Sequence, residues 1–426
     1  MKLAPAQGLK GRLRLPGDKS ISHRAALIAA LADGASEITN FSTARDCAST
    51  LACLRELGVA IERDGEKLRF RGSQKLVSPR GPLYCGNSGS TMRILAGVLA
   101  GHDLSAELIG DESLSTRPMR RIIEPLELMG ARIEATDGKP PLRIRGSGNP
   151  RAIEYKLPVA SAQVKSAILF AGLNAAGRTT VIETSPTRDH TERLFNGFGV
   201  PVTVDDSSIR LDGPARFTGG SITIPGDISS AAFFVAAAML LPGSELVIEN
   251  VGLNPTRTAF LSVLSSWGAD ITTTDFRMER NEPVGTITVR GGIGEADGDR
   301  VLAGDQIPLL IDELPLLAVV GTGIKGGIEI RDAVELRHKE SDRLAATARN
   351  LLAMGAEVEE LADGLRVNGP TKLRGAAIDS YNDHRIAMAF SVAALIADGV
   401  TEIHGSESAA VSFPEFFELL DSLVQR

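Results

Sequence analysis

The sequence predicts an α/β protein made of six repeated βαβαββ units, with three units in each of two domains. The first observation is that a probable helix five times ends in glycine and is followed by an alternating strand, at Gly58, Gly130, Gly199, Gly268 and Gly355. Glycine suits the left-handed position at a helix C-terminus, and alternation suits a half-buried strand. The second observation is the spacing of 72, 69, 69 and 87 residues between them, close to the 71 residues that six units in 426 would occupy.

The third observation is that two kinds of helix alternate along the chain. The helices that lead into the glycines begin with similar segments, of which STAR, STR, SPTR and NPTR open on Ser or Asn, both good N-caps, followed by an arginine. Between them lie helices that open polar and become nearly free of charge, such as GDKSISHRAALIAALADG and GDISSAAFFVAAAMLLPG. A helix that is apolar on all sides is buried. Each unit therefore reads strand, buried helix, strand, amphipathic helix, strand, strand.

Six units are too many for one small core, so we expect two groups of three. The segments GDKS (17–20) and GDIS (226–229) each follow a strand that ends in proline, and they look like crossovers between domains. The predicted domains are 17–227, and 1–16 together with 228–426. We expect hinges near 16–20 and 225–229, with the active site in the cleft between the domains.

Composition excludes several classes of function. The net charge of −7 repels nucleic acid and anionic lipid, and aromatic residues make up only 4% of the chain. The longest strongly apolar run, 231–241, is far shorter than the ~20 residues that span a bilayer. Three cysteines suit a reducing compartment, and the six histidines show no metal-ligand spacing. We expect a cytoplasmic protein that binds no metal, nucleic acid or membrane.

Charged residues gather where the buried helices begin. In PGDKSISHR, Lys19 opens a helix, and Ser20 and Arg24 share one of its faces. A lysine at a helix N-terminus opposes the dipole, which indicates an anion nearby. GNSGSTMR, with Asn87 and Gly89, is a candidate phosphate-contacting turn, although it lacks the P-loop spacing.

Two pairs of basic residues are spaced i, i+4, which predicts like charges on one helix face. They are Arg117 with Arg121, and Lys339 with Arg343 beside Glu340. Such pairs are unfavourable unless an anion lies close, but exposed arginines on a solvated helix remain an alternative.

The N-termini of two further buried helices, here called helix mouths, also carry charged residues. NDHR places Asp383, His384 and Arg385 at one of them, and IDELP places Asp312 and Glu313 at another. For the carboxylates, simple helix capping remains an alternative, because the helix N-terminus favours negative charge. Cys47 and Cys53 fit core packing, whereas Cys85, next to GNSG, is either packed or reactive.

In combination these segments identify a family. LPGDKSISHRA, GNSGSTMR, STRPM, SAQVKSA, HKESDR and NDHRIAMA, in this order over the whole chain, strongly resemble the EPSP synthase (3-phosphoshikimate 1-carboxyvinyltransferase) family. SISHR and SAQVK are more similar to its second, often glyphosate-tolerant class. The resemblance implies a two-domain inside-out α/β barrel, and a monomer that glyphosate inhibits. It also implies enolpyruvyl transfer from phosphoenolpyruvate to the 5-hydroxyl of shikimate 3-phosphate, without cofactor or metal.

The resemblance implies roles for individual residues. It assigns contacts with shikimate 3-phosphate to Lys19, Ser20, Arg24, Ser161, Ala162, Gln163, Arg188, Asp312 and Lys339. It assigns contacts with phosphoenolpyruvate to Lys19, Asn87, Gly89, Arg117, Gln163, Arg343, His384 and Arg385. Asp312 is the implied general base, Glu340 the general acid, and Lys19 touches both substrates.

Two positions depart from the family pattern. Many members carry a phosphoenolpyruvate-binding lysine two residues before the late Phe-Pro, where this chain has Val411. Some members have asparagine where this chain has Glu335. Either the remaining cations suffice or another group replaces the lysine.

Two alternative functions remain. A UDP-N-acetylglucosamine enolpyruvyl transferase usually has a cysteine in its active-site loop, but the corresponding GDESLSTRPM has none. A non-catalytic repeat scaffold leaves the charged helix mouths without an explanation.

Overall fold

The chain divides into two compact units. The computed structural model describes residues 1–73, 75–294 and 300–426. The first unit, here the terminal unit, comprises Met1–Leu15, Gly226–Arg277 and Pro283–Arg426, and the second, the central unit, comprises Pro16–Pro225 and Met278–Glu282. Each unit has its own hydrophobic core. The inclusion of 278–282 in the central unit has no counterpart in the sequence prediction, which used only the two proline-containing crossovers.

The central unit repeats one sheet pattern. In each of its described four-stranded sheets the first pair of strands is parallel and the other pairs are antiparallel. In spatial order the strands are Ser221–Thr223, Gly34–Thr39, Lys67–Gly72 and Ala60–Asp64; Leu83–Tyr84, Ser105–Ile109, Lys139–Arg145 and Arg132–Thr136; and Glu154–Lys156, Gly177–Ile182, Ser208–Gly213 and Val202–Asp205. The second and third sheets follow the predicted order of elements along the chain.

Two strand pairings between segments that are distant in sequence explain why the terminal unit is discontinuous. Gly8–Arg14 precedes the first helix in sequence, yet it pairs in parallel with Glu245–Gly252 of the terminal unit. The place beside Gly34–Thr39 is taken instead by Ser221–Thr223, with Ile222 opposite Ile38. The chain must therefore leave the terminal unit after Gly8–Arg14 and return to it after residue 225.

The helices of the central unit are of the two predicted kinds. The buried helices are Lys19–Leu31, Gly89–Ala100 and Ala162–Gly172, and nearly all of their residues are inaccessible to solvent. The outer helices are Arg45–Glu56, Glu112–Thr116, Arg120–Leu128 and His190–Gly197. This arrangement confirms that the charge-free helices form the core.

The terminal unit has the same two kinds of helix around its own sheets. Its strands, again in spatial order, are Ala269–Glu279, Glu282–Ile293, Glu245–Gly252, Gly8–Arg14 and Val424–Gln425; Val301–Leu302, Ile328–Ile330, Leu365–Val367 and Val358–Glu360; and Lys2–Leu3, Thr401–His404 and Ala377–Asp379. Its buried helices are Ile228–Leu240, Leu314–Gly321 and His384–Ile396. The other helices are Ala259–Ser266, Gln306–Leu310, Arg343–Ala353 and Phe416–Leu423, with 3₁₀ turns at Val334–His338 and Ser406–Val411.

The repeated glycines have the predicted backbone conformation. Gly58, Gly130, Gly199, Gly268 and Gly355 have φ of 88°, 107°, 83°, 90° and 83°. Each follows a helix directly and precedes a strand. A residue with a Cβ would be strained there, so these glycines are a condition for the sharp turn that begins each hairpin.

The two predicted i, i+4 pairs of basic residues are wrong. Arg117 is extended (φ −78°, ψ 141°) and ends the helix Glu112–Thr116, whereas Arg121 belongs to the next helix. The cause is Pro118, because a proline disfavours helical backbone in the residue before it. Lys339 follows a 3₁₀ turn, and a new helix begins at Arg343 with Asp342 as its cap. Neither pair shares a helix face.

Among the described residues, no helix is long and apolar enough to cross a membrane.

Candidate active site

The buried helices of the central unit present their N-termini with side-chain caps. Asp18 accepts a hydrogen bond from the Ile21 amide at 2.9 Å, and Ser88 accepts one from Thr91 at 3.1 Å. Ser161 caps the third helix by accepting from the Val164 amide at 3.4 Å. The caps satisfy only some of the exposed N–H groups, so each mouth keeps a positive partial charge.

Arg24 is buried at the first mouth and its guanidinium is held on three sides. Nε donates to Thr191 Oγ1 at 2.7 Å, Nη2 to Ser166 Oγ at 2.8 Å and Nη1 to the Ser20 carbonyl at 2.9 Å. Burial lowers the pKa of Arg24 to about 10, against an opposing effect of Glu192. Arg24 stays charged at neutral pH, but its charge is poorly compensated, which is the condition that favours a bound anion.

A buried ionic network lies behind Arg24. Lys165 Nζ is 2.6 Å from Glu192 Oε1 and 3.0 Å from Glu183 Oε1. Burial raises the pKa of Glu192, and the neighbouring charge of Lys165 acts against this increase. Thr187 donates a short hydrogen bond to Glu183. This network joins the helix of SAQVKSA to the segment that carries Arg188, and the charge of Arg188 further lowers the pKa of Arg24.

Lys19, the first residue of its helix, forms an ion pair with the largely buried Asp46, with 3.0 Å between Nζ and Oδ2. The lysine side chain is 20% exposed, so it is neither a core group nor a solvated one. This ion pair with Asp46 offsets part of the unfavourable interaction between the lysine charge and the positive end of the helix. Its own segment, STARD, is one of the repeated helix openings.

GNSG and the residues around it form a second polar network. Arg117 Nη2 donates to Asn87 Oδ1 at 2.6 Å, and Asn87 donates to Asp111 at 2.8 Å. Arg93 Nη1 donates to Gln163 Oε1 at 2.7 Å, and Gln163 donates to Ser90 at 2.9 Å. A Cβ on Gly89 would lie 2.8 Å from Arg93 Nη1 and 3.5 Å from Arg117 Nη1. Gly89 therefore lets the backbone approach two guanidinium groups closely.

In the terminal unit, the fully buried Arg343 is surrounded by three carboxylates. Its Nη2 is 2.6 Å from Glu340 Oε2, its Nε is 2.8 Å from Asp383 Oδ2, and its Nη1 is 3.6 Å from Asp312 Oδ1. Burial alone lowers the pKa of Arg343, but Asp383, Glu340 and Asp312 together raise it above its ordinary value. Nη1 has no hydrogen-bond partner among the described residues.

A second arginine pair lies on the other side of Asp312. Arg257 Nη1 is 4.0 Å from Asp312 Oδ2, and its Nη2 is 3.7 Å from Glu313 Oε1. Arg385 Nη1 is 3.6 Å from the same Glu313 oxygen, which also accepts a short hydrogen bond from Ser229. Asp312 thus has one guanidinium facing each of its oxygens.

These charged groups of the terminal unit form one largely buried cluster of four carboxylates and three guanidinium groups. The carboxylates are Asp312, Glu313, Glu340 and Asp383, and the guanidinium groups are those of Arg257, Arg343 and Arg385. Asp312 and Glu340, each 19% exposed, flank Arg343 and remain partly accessible. Two accessible carboxylates on either side of one cation can accept and donate protons close to each other.

Other candidates lie at the edges of these clusters. Lys339 contacts Glu335 at 3.5 Å, and both side chains are partly exposed. His384 is buried as the first residue of its helix, with Nδ1 3.9 Å from Asp383 Oδ1. Val411 ends the 3₁₀ turn Ser406–Val411 and is only partly buried. The structure thus brings Asp312, Glu340 and Arg343 into direct contact but leaves Lys339 outside that group.

Sequence reasoning missed several charged residues in these clusters, among them Asp46, Arg93, Glu192 and Arg257. A signal existed for Arg257, because NPTR repeats SPTR, which carries Arg188. A signal existed for Arg93 too, since an arginine in the middle of a nearly charge-free helix needs a partner.

The described residues contain neither an exposed cysteine thiol nor a metal-binding group of side chains. All three thiols are buried, and contact with Cys53 followed by burial raises the pKa of Cys85 well above its usual range. A thiol in this state is unreactive, so the interpretation of Cys85 as a packed residue holds. The described residues contain no group of histidine, cysteine or carboxylate side chains that could hold a metal ion.

Comparison with known proteins points to one family. The family model described as EPSP synthase (3-phosphoshikimate 1-carboxyvinyltransferase) matches residues 3–420. A 3-phosphoshikimate 1-carboxyvinyltransferase from Koribacter versatilis is 50% identical over 429 residues, covering 100% of this chain and 99% of that protein. One from Bacillus licheniformis is 44% identical over 431 residues, covering both proteins fully.

Solved structures agree with this result. An EPSP synthase from Acinetobacter baumannii superimposes with a TM-score of 0.88 at 41% identity, covering 99% of this chain and 98% of that one. The enolpyruvyl transferase NikO from Streptomyces tendae has a TM-score of 0.80 at 18% identity, covering 99% and 96%, which supports the fold alone. These similarities confirm the predicted fold class, a mixed α/β fold of two domains consistent with the inside-out barrel.

Proposed function

We propose, on the premise that the chain belongs to the EPSP synthase (3-phosphoshikimate 1-carboxyvinyltransferase) family, that Asp312 and Glu340 carry the proton transfers of that family's reaction. The enzyme transfers the enolpyruvyl group of phosphoenolpyruvate to the 5-hydroxyl of shikimate 3-phosphate and releases phosphate. The observation that carries the assignment is the arrangement of Arg343 between the two accessible carboxylates.

The proposed chemistry has two stages. The 5-hydroxyl oxygen attacks C2 of phosphoenolpyruvate, its proton passes to Asp312, and Glu340 protonates the C3 methylene. The resulting tetrahedral adduct then returns a proton from C3 to the Glu340 carboxylate as its C2–O bond to phosphate breaks, which re-forms the double bond. General acid–base groups in such positions typically contribute ~10²–10⁴-fold to the rate.

The central unit supplies the proposed shikimate 3-phosphate contacts. Arg24 and Arg188 would receive the phosphate, and the lowered pKa of Arg24 supports this role because a dianion would compensate the buried charge. Ser20, Ser161, Ala162 and Gln163 lie at or next to the helix mouths, where N–H groups favour anions. Lys19, already paired with Asp46, would contact both substrates.

Phosphoenolpyruvate would use both clusters. We propose that Asn87, Gly89, Arg117 and Gln163 contact it from the central unit, with Arg343, His384 and Arg385 from the terminal unit. Asp312 and Lys339 would complete the shikimate 3-phosphate contacts. The proposal therefore requires the groups of both units to serve the same pair of substrates.

Several finer assignments belong to the same proposal. SISHR and SAQVK support membership of the second, often glyphosate-tolerant class. We further propose that glyphosate competes for the phosphoenolpyruvate subsite, and that the protein is a cytoplasmic monomer that needs neither cofactor nor metal.

Phosphate release is the direct test of the activity. The purified protein should release phosphate from phosphoenolpyruvate only when shikimate 3-phosphate is present. Release with UDP-N-acetylglucosamine instead would favour the related enolpyruvyl transferase, and no release with either acceptor would favour a non-catalytic scaffold. An Asp312→Asn variant should bind both substrates and lose turnover.

A further inference from the structure

The buried Arg257 is a feature that the proposed reaction does not yet use. Its side chain is 3% exposed, and its guanidinium lies between the neighbouring carboxylates Asp312 and Glu313, at 4.0 and 3.7 Å. A cation is expensive to bury, and it stays buried only with paired charges and hydrogen bonds. Its burial beside the proposed general base therefore calls for a role.

A short turn fixes the direction of Arg257. Asn254 is buried, and its carbonyl accepts from the Arg257 and Thr258 amides at 2.8 and 3.1 Å. Its side-chain Oδ1 accepts from both the amide and the hydroxyl of Thr256, at 2.9 and 2.8 Å. Hydrogen bonds within the segment NPTR thus fix the backbone from which the Arg257 side chain projects, just before the helix Ala259–Ser266 begins.

We infer that Arg257 is a positioning residue for Asp312, which it keeps ionised and oriented as the proton acceptor in the proposed reaction. This inference rests on the proposed role of Asp312. A cation near a carboxylate stabilises its charged form, and Asp312 must be charged to accept the hydroxyl proton. Arg343 faces the other Asp312 oxygen, but it is shared with Asp383 and Glu340.

Every charged neighbour of Asp312 in this cluster bears on the inference. Arg343 faces it from the helix Arg343–Ala353, and Arg257 faces it from the NPTR turn. The remaining charged groups of the cluster are Glu313, Glu340, Asp383 and Arg385, and the titratable His384 lies beside it with Nδ1 3.9 Å from Asp383 Oδ1. Two guanidinium groups would remain against four carboxylates without Arg257, so protonation of a carboxylate would become easier.

The pH dependence of turnover tests this inference. In Arg257→Gln, the acid limb of the kcat profile should move about one unit to higher pH, since a neighbouring cation shifts a carboxyl group by roughly 1–3 units. At pH values well below both limbs, turnover should then fall about tenfold more than it does on the plateau above them. Arg257→Lys keeps the charge and should leave the limb within about 0.3 unit of the wild type.

A matched control comes from the same unit. Arg290 is 3.7 Å from Asp270, as Arg257 is from Glu313, but the side chains of Arg290 and Asp270 are 60% and 58% exposed. Arg290→Gln should leave the whole profile unchanged. A uniform loss of kcat at all pH values in Arg257→Gln, or an equal displacement in Arg257→Lys, would overturn the inference.

Two further variants separate the possible failures. If Arg257→Gln does not fold, Arg257→Gln combined with Glu313→Gln removes the uncompensated carboxylate as well, and its acid limb should lie above that of Glu313→Gln alone. Coincident limbs in those two variants would refute the inference. If Asp312→Asn keeps full turnover, the proposed function of Asp312 fails; if it loses turnover while Arg257→Gln leaves the limb in place, only the role of Arg257 fails.

Discussion

Gly89→Ala provides a measurable change at the mouth of the second buried helix. Gly89 is the first residue of the helix Gly89–Ala100, and its φ lies outside the left-handed region, so alanine fits the backbone. The added Cβ would lie 2.8 Å from Arg93 Nη1, and ordinary contact begins at about 3.4 Å. The end of the arginine must therefore move by about 0.6 Å.

The stability cost of this movement should be small. Overpacking costs typically about 1–3 kcal/mol, whereas alanine is up to about 1 kcal/mol better than glycine in a helix. The two effects nearly offset each other, so we expect Gly89→Ala to lose at most about 2 kcal/mol of folding free energy. The variant should fold, and its kinetics can be interpreted.

Its effect on ligands should be larger, because Arg93 is held by Gln163 at 2.7 Å and cannot move without disturbing that bond. Gln163 and Gly89 are both proposed phosphoenolpyruvate contacts. The Michaelis constant for phosphoenolpyruvate should rise severalfold. The inhibition constant for glyphosate, whose chain is longer, should rise about tenfold more, which corresponds to about 1.4 kcal/mol.

The assay is steady-state phosphate release with varied phosphoenolpyruvate and glyphosate. The quantity to compare is the ratio of the glyphosate inhibition constant to the Michaelis constant for phosphoenolpyruvate, in wild type and variant. Gly81→Ala is the matched control, because a Cβ there meets nothing within 4 Å. An unchanged ratio in Gly89→Ala would show that Gly89 does not line the glyphosate pocket.

Three other outcomes follow from the structure. Glu340→Gln should bind both substrates but lose turnover by ~10²–10⁴-fold, and activity within a factor of two of wild type would contradict its role as the acid. Burial lowers the pKa of His23 well below its ordinary value, so the folded protein resists protonation of this histidine and loses stability as the pH falls below about 6.5. The free energy of unfolding should therefore drop by about 1 kcal/mol more between pH 7 and 5.5 in the wild type than in His23→Asn. Equal drops in the two proteins would refute this expectation. The thiols of Cys47, Cys53 and Cys85 should react with a disulfide reagent only after unfolding, and rapid reaction of the native protein would contradict their burial.

Much of the fold could be predicted because repetition makes local signals strong. The glycines that end five helices each need positive φ, and the structure has it at all five. The nearly charge-free helices could only be buried. Local signals failed where the chain direction changes abruptly, as at Arg117, because i, i+4 spacing puts two residues on one face only within a single helix, and the helix ends before Pro118.

The candidate site was predictable in its residue types but not in its partners. The charged residues at helix mouths could be named from sequence, because a charge at the end of an apolar helix has few harmless explanations. Their pairing could not, since Arg343 contacts Glu340 from nearby in sequence but Asp383 from 40 residues away. The pairing of Arg257 could not be predicted for the same reason, because its carboxylate partners lie more than 50 residues further along the chain.

The amino-acid sequence by itself determined the repeat, the two kinds of helix, and the chemical character of the helix mouths, because each depends on residues within one or two turns of each other. Only the tertiary structure decided that Gly8–Arg14 pairs with Glu245–Gly252 and that Ser221–Thr223 takes the place beside Gly34–Thr39. It also decided which cation faces which carboxylate. Strand pairing and buried ion pairs join segments that are distant in sequence, and their stability depends on burial and on distances of a few ångströms, which local periodicity does not encode.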